Sequence, residues 1–451
     1  VEDQEIAEML VTPMKIRTLQ RKLYAKAKQE PGYRFYALYD KVYRADVLQH
    51  AYRLVRANRG ASGIDGVSFA GIEAEEGIEQ FLVGLSKEVK SKTYQPQPVR
   101  RVMIPKPDGS ERPLGIPTIR DRVVQMAVKL IIEPIFESDF CDSSYGFRPK
   151  RSAHNAVDDV ADALHKGHCH VIDADLSKYF DTIPHAKLMA VVAERIADGG
   201  ILRLIKQWLK APVVEKGKNG KDQTSGGKGN RRGTPQGGVI SPLLSNLYLH
   251  LVDRIWERHG LEEKYSARLV RYADDMVLLC TRDTERPHAM LKYLLERLDL
   301  KLNETKTHVV DAWAQRFDFL GYEIRMRRNP RSGKSYPHVQ PGKRAVKRIK
   351  AKLTELTDRK LTPIPLPAVV QRLNQSLRGW SGYFDYRNGT KVFGDVRWHA
   401  EERLRTHLRK RHKVRIRYFG YTRFPNSVLY ERHGLFKLPT TAPWKRAHAL
   451  A

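Results

Sequence analysis

Two aspartates, Asp274 and Asp275, stand side by side inside "RLVRYADDMVLLC", Arg268 to Cys280. Large apolar and β-branched residues fill both flanks, which predicts two short buried strands meeting at a turn. One Asp suits a turn tip well, because its side chain can bond the nearby backbone. Two adjacent carboxylates against an apolar sheet are different: they repel each other and lose hydration unless a cation neutralises them. The fold must therefore bring positive charge to this hairpin.

A third carboxylate is available in "HVIDADLSKYFDTI", where a buried-looking strand delivers Asp175 to its end. Asp173 lies two residues earlier on the same face of that strand, and Asp181 reads as structural. Three carboxylates from two strands can hold two hard divalent ions, and Mg²⁺ suits them because it takes oxygen ligands and keeps room for water and substrate phosphates. Two such ions ease deprotonation of a 3′-hydroxyl and stabilise a departing pyrophosphate. The "HCH" at His168–His170 has ligands only two apart and lacks a second cluster nearby, which argues against a zinc site.

Charge points to the partner. Lys and Arg total 81 against 51 acidic residues, a net +30 over 451 residues. A compact chain with that excess repels itself unless a polyanion is its usual companion, which favours nucleic acid over an anionic membrane surface. No apolar run has the length of a membrane span, and "VEDQEIAEML" lacks the basic start and apolar stretch of a signal peptide. The three cysteines, with no CxxC pair, argue against disulfides and cysteine-based zinc modules, so a reducing cytoplasm is expected.

Along the chain, "MKIRTLQRKLYAKAKQE" predicts a basic helix ending at Pro31-Gly32, and a second helix is expected from about Tyr36 to Ala57. "RRVMIPKPDGSERPLGIPT" reads as a hairpin turning at Asp108-Gly109. Helices follow over "DRVVQMAVKLIIEPIF", from Ala153 to Lys166, and from Arg286 to Leu298. "EKGKNGKDQTSGGKGNRR" is a Gly/Lys-rich hairpin or loop. From Pro341 the pattern is helical, with Val346, Ile349, Leu353 and Leu356 on one stripe and Lys343, Arg344, Lys347, Arg348 and Lys350 largely around the remainder. Helical segments run to about Lys413.

"YADD" at Tyr272–Asp275, "DLSKYFD" at Asp175–Asp181 and "TPQGGVISPLLSNLYL" at Thr234–Leu249 resemble, in order and spacing, the central blocks of a reverse transcriptase. The hairpin around "PKPDGSERP" resembles the fingers, "SYGFRPKRSAHNAV" the block after it, and "LNETKTHVV" and "FDFLGYEI" the last palm motifs. "LRGWSGYFDYRN" followed by a basic helix is similar to the maturase segment of bacterial group II intron-encoded proteins. The resemblance covers roughly Lys15 to Lys413.

It implies an α+β, right-hand polymerase-like fingers and palm with an antiparallel palm sheet, followed by an α-helical thumb or maturase domain. The expected division begins with an N-terminal helical extension at 1–66, which includes a block like the extra N-terminal one of non-long-terminal-repeat enzymes, and fingers at 67–171. The palm follows at 172–335, with part of the fingers and a Gly/Lys-rich insertion at 215–233, then the thumb or maturase domain at 336–413 and a short basic tail at 414–451. Asp175, Asp274 and Asp275 would hold two Mg²⁺ ions, with the backbone of Leu176 completing a site. Lys106 and Arg112 would grip the incoming dNTP, Gln236 and Gly237 would lie beneath the templating pair, and Lys306 would protonate pyrophosphate. Phe180 would exclude a 2′-hydroxyl, although an aromatic there also suits a core position.

Lys343, Arg344, Lys347, Arg348, Lys350, Arg409 and Lys410 would contact RNA or a duplex. The implied partners are group II intron RNA, an RNA template with its DNA primer, and dNTPs, with no membrane; monomer and dimer both remain open. Beyond residue 413 there is no cysteine, so the zinc-supported HNH nuclease of the longest family members is not expected. Two alternatives stand beside an intron-bound polymerase and splicing factor. One is a polymerase that has lost its intron and serves DNA repair or phage defence. The other is a non-enzymatic RNA-binding splicing chaperone, disfavoured because every matched chemical position is intact.

Overall fold

The computed structural model describes residues 11–105, 109, 111–216 and 222–441. Lys106 and Asp108, of the expected hairpin tip, lie outside the described residues. Among the described residues, eleven strands make three sheets joined by helices. The strands are β1 (Val99–Pro105), β2 (Glu111–Ile116), β3 (His170–Ala174), β4 (Pro212–Lys216), β5 (Asp222–Gly226), β6 (Ala267–Tyr272), β7 (Asp275–Cys280), β8 (His308–Asp311), β9 (Phe317–Phe319), β10 (Tyr322–Arg328) and β11 (Ser335–Pro341). Sheet orders are β2-β1-β4-β5, β6-β7-β3-β8 and β11-β10-β9. No helix among the described residues is long and apolar enough to cross a membrane.

The contacts divide the chain into two compact units, cut at Ala156/Val157, Asp173/Ala174, Leu278/Leu279, Arg282/Asp283 and His308/Val309. In the first unit, β1 and β2 form the expected antiparallel hairpin, in register from Arg100↔Ile116 to Pro105↔Glu111. The Gly/Lys-rich excursion is the β4–β5 hairpin, and β4 pairs in parallel with β1.

Two long helices form the apolar heart of this unit. One, Ile119–Glu137, is capped by Thr118, whose hydroxyl accepts from the Asp121 amide; Asp121 in turn accepts from Tyr94 Oη at 2.6 Å and from Gln97 N at 3.0 Å. The other, Ser241–Arg258, buries Leu243, Leu244, Leu247, Tyr248, Val252 and Trp256.

The helix expected from Tyr36 to Ala57 is two helices, Tyr39–Val42 and Ala45–Ala57. Arg44 takes an extended backbone (ψ 137°) between them, and its guanidinium binds Asp46 at 2.6 Å across the first turn of the second helix. A local ion pair of this kind leaves the apolar periodicity intact, so the pattern alone ran through the break.

The second unit carries the β9-β10-β11 sheet and the helices Lys343–Leu356, Leu366–Phe384, Thr390–Arg411 and Arg417–Arg423. Aromatics knit it together: Trp380 stacks on Phe393 (4.8 Å) and Phe384 (5.2 Å), and Tyr383 Oη donates to Leu320 O at 2.9 Å. The stretch expected as a basic tail after residue 413 is folded as far as it is described. Phe424, Leu429, Leu435 and Leu438 are buried, Arg405 Nε donates to Phe424 O at 3.0 Å, and Asn374 Nδ2 donates to Gly434 O at 2.7 Å. Four widely spaced apolar anchors among many charges produce little periodicity, and that is why the sequence read as tail.

Candidate active site

The YADD segment is the connection between β6 and β7, in the first unit. Ala273 sits there at φ 58°, a left-handed conformation that costs an ordinary L-residue about 1–2 kcal/mol. The turn is backed by Gly146 of the "SYGF" block, where any Cβ would collide with the Ala273 amide nitrogen. Only glycine leaves room for that approach.

Asp274 is half-buried at the tip of this turn. Burial pushes its carboxyl above the usual carboxylate range; the charge of Asp175 pushes the same way, while its own backbone amide, Arg112 and Arg271 oppose. The charges of Asp175 and of the Arg112 guanidinium thus both act on the Asp274 carboxyl, in opposite directions.

Asp175 follows β3 and is pinned by its backbone. Its carbonyl accepts from Asn303 N at 2.8 Å, Ser177 N donates to Lys301 O at 3.0 Å, and Leu176 bridges to Leu302. The "LNETKT" segment thus serves as a splint for the strand end. Asp275 begins β7 and is exposed. Among the described residues no three His, Cys, Asp or Glu side chains are gathered closely enough to hold a metal. The charge of Asp175 raises the Asp274 carboxyl, a repulsion that a divalent cation would relieve, and oxygen donors of this kind suit Mg²⁺.

Arg112 projects from β2, and its Nε donates to Gln236 Oε1 at 2.9 Å. Gln236 O accepts from Gly115 N at 2.6 Å, and Gly237, at φ 115°, lies so close to Gly115 O that a Cβ would collide with it. The "PQGG" segment is laid along β2 by these contacts, so Arg112, Gln236 and Gly237 form one cluster. Phe180 is buried in the short helix Tyr179–Thr182, its ring edge-on to Tyr179 (5.5 Å), and its carbonyl accepts from Thr234 N at 2.7 Å. Lys306 is exposed in the turn after Asn303.

Sequence reading missed the support beneath the turn. Arg271, with no exposed surface, donates through Nε to both Asp253 oxygens (2.9 and 3.0 Å) and through Nη1 to Asn246 Oδ1 and Ala273 O (both 3.0 Å). The available signal was an Arg set between Val270 and Tyr272 in an otherwise apolar stretch, which demands a buried anion if it faces inward.

In the second unit, Lys343, Arg344, Lys347 and Arg348 are exposed on helix Lys343–Leu356, and Lys350 is half-buried. Lys343, Lys347 and Lys350 line an open groove of about 850 Å³ with Val346, Val392 and His399. Lys410 is exposed. Arg409 is committed to the fold: Nη2 donates to Arg415 O at 2.9 Å, and its stem packs on Gly420.

Two families match this chain: the reverse transcriptases (RNA-dependent DNA polymerase) over residues 104–324, and the group II intron maturase-specific domain over residues 346–423. Protein YkfC of Escherichia coli is 36% identical, over 70% of this chain and 90% of its own length. The group II intron-encoded protein LtrA of Lactococcus lactis is 32% identical over 66% of this chain; the chain spans 59% of LtrA. An uncharacterised 91 kDa protein in the cob intron of Schizosaccharomyces pombe is 31% identical over 59% of this chain and 30% of its own length. With both family models matched and these relatives alongside, the chain belongs to the group II intron-encoded reverse transcriptases, the RNA-directed DNA polymerases that carry a maturase domain.

Proposed function

We propose that this chain copies RNA into DNA at the site built around Asp175 and Asp274, with Asp275 and the Leu176 backbone as further ligands of two Mg²⁺ ions. What supports this reading is that the reverse transcriptase match over residues 104–324 spans Arg112 and all three aspartates, and that the charges of Asp175 and Arg112 act on the half-buried Asp274 carboxyl. When bound, the ions supply Lewis-acid stabilisation of the attacking and leaving oxygens.

The chain's own residues do the rest. Arg112 offers planar paired donors to the dNTP triphosphate, and Lys106 adds a point charge. Gln236 orients Arg112 through their hydrogen bond, and Gly237 allows the nucleotide to lie close to the backbone. Phe180 excludes a 2′-hydroxyl by bulk. Lys306 delivers a proton to the departing pyrophosphate. In domain terms we read 67–171 as fingers, 172–335 as palm and 336–413 as thumb.

Primer extension on an RNA template tests this directly. Asp274→Ala should abolish extension while leaving primer–template binding intact; equal extension by variant and wild type would overturn the assignment. We further propose that the basic face of Lys343–Leu356 and the groove it lines bind intron RNA and assist its splicing, because exposed lysines and arginines crowd one helix there. Splicing of a group II intron transcript that is unaffected by charge reversal at Lys343 and Lys347 would remove that second role.

A further inference from the structure

Arg271 presents an energetic puzzle. A fully buried guanidinium loses its hydration, and a buried ion pair is poor value for stability compared with apolar packing of the same volume. What an apolar side chain would not supply is direction. Arg271 and Asp253 satisfy each other along two edges, which leaves Nη1 aimed at Asn246 Oδ1 and at the carbonyl of Ala273. Asn246 then uses its amide nitrogen on Gly146 O at 2.5 Å, and Gly146 abuts Ala273 from the other side.

The main chain completes the frame. Arg271 N donates to Ser143 O and Tyr145 N to Arg271 O, each at 2.8 Å. The left-handed residue is thus held by a side-chain donor on its carbonyl and by a glycine against its nitrogen. Alanine has no side-chain polar atom with which to stabilise that conformation for itself.

We propose that Arg271, oriented by Asp253 and Asn246, is a positioning residue that keeps the Ala273 turn left-handed and so delivers the Asp274 carboxylate to Asp175 in the geometry that takes a divalent cation. This rests on the reading of Asp175 and Asp274 as cation ligands. It distinguishes Arg271 from a residue that merely fills the core, because the effect should pass through one backbone torsion.

The test uses full-length wild type, Arg271→Lys, Ala273→Gly, the double variant and Asp274→Ala. Lysine keeps the charge beside Asp253 but loses the fork that reaches Ala273 O. Arg271→Lys should lower kcat for primer extension by about a hundredfold with KM for dNTP little changed. Mn²⁺ affinity of the protein without substrate, read from the electron paramagnetic resonance signal of free Mn²⁺, should weaken by about tenfold.

Glycine at position 273 adopts the left-handed turn without penalty, so the double variant should regain most of both losses. A defect that Ala273→Gly leaves undiminished, or wild-type behaviour of Arg271→Lys, would overturn the proposal. If Arg271→Lys does not fold, Asn246→Ala removes a partner of the same guanidinium without stranding a charge and is read in the same way. Asp274→Ala separates the two readings: full activity there defeats the carboxylate assignment, whereas lost activity without rescue by glycine defeats only the role of Arg271.

Discussion

The turn bearing Asp274 and the helix Lys343–Leu356 handle charge in opposite ways. At the turn, few charges are present and each has a named partner: Arg271 with Asp253, both fully buried, exposed Arg112 with Gln236, and half-buried Asp274 in the field of Asp175. On the helix, Lys343, Arg344, Lys347 and Arg348 are exposed over a buried stripe of Ala345, Ile349 and Leu353. The first arrangement defines positions to fractions of an ångström; the second builds a field that falls off with salt. Chemistry should therefore be concentrated in single residues at the turn, and binding spread over many on the helix.

The sharpest contrast is between Asp175→Ala and a triple Lys343/Lys347/Lys350→Gln variant. Asp175→Ala should reduce primer extension by about a thousandfold or more, with RNA affinity unchanged. Arg112→Ala should raise KM for dNTP by about tenfold to a hundredfold, the worth of one or two charge-assisted hydrogen bonds, and Arg112→Lys should recover only part of it. The triple variant should leave single-turnover extension near wild type. Its signature is a log–log salt dependence of RNA binding shallower by about 2 to 3. A single lysine change that abolished RNA binding would break the comparison.

The smallest effect concerns stability. Asp274 has its carboxyl raised chiefly by burial, so the folded chain holds that proton more tightly than the unfolded chain does. Between the ordinary carboxylate value and the raised one the folded state binds more protons, hence stability declines as pH rises through that window and stays lower above it. Asp274→Asn removes this penalty. In metal-free buffer at neutral pH the variant should melt above wild type, the difference should vanish below about pH 4, and Mg²⁺ should narrow it by stabilising wild type alone. A variant that melts lower at neutral pH would contradict the environment assigned to Asp274.

Much of this was legible in the residues. Asp274 and Asp275 announced a charged hairpin because apolar flanks are so incompatible with paired carboxylates, and the alternation around "KPDGSERP" foretold the antiparallel pairing of β1 with β2. The basic helix showed its stripe, although the buried set is Ala345, Ile349 and Leu353, with Val346 and Leu356 only half-covered. What stayed hidden depended on tertiary partners. Nothing in the spacing of Arg271 and Asp253 says that they meet, nor that Asn303 splints Asp175 or that Gln236 orients Arg112. The break at Arg44 and the folded stretch through Leu438 were missed because a local ion pair and sparse apolar anchors leave periodicity unchanged or too weak to read.

The central claim is that Asp175 and Asp274 share a divalent cation where DNA is made on an RNA template. Crystals of the protein with an RNA template, a DNA primer lacking its 3′-hydroxyl, a matched dNTP and Mn²⁺ would test it through anomalous scattering. The account predicts a manganese peak coordinated by carboxylate oxygens of both residues. Manganese and nucleotide bound elsewhere, with these two carboxylates apart and bare, would contradict it.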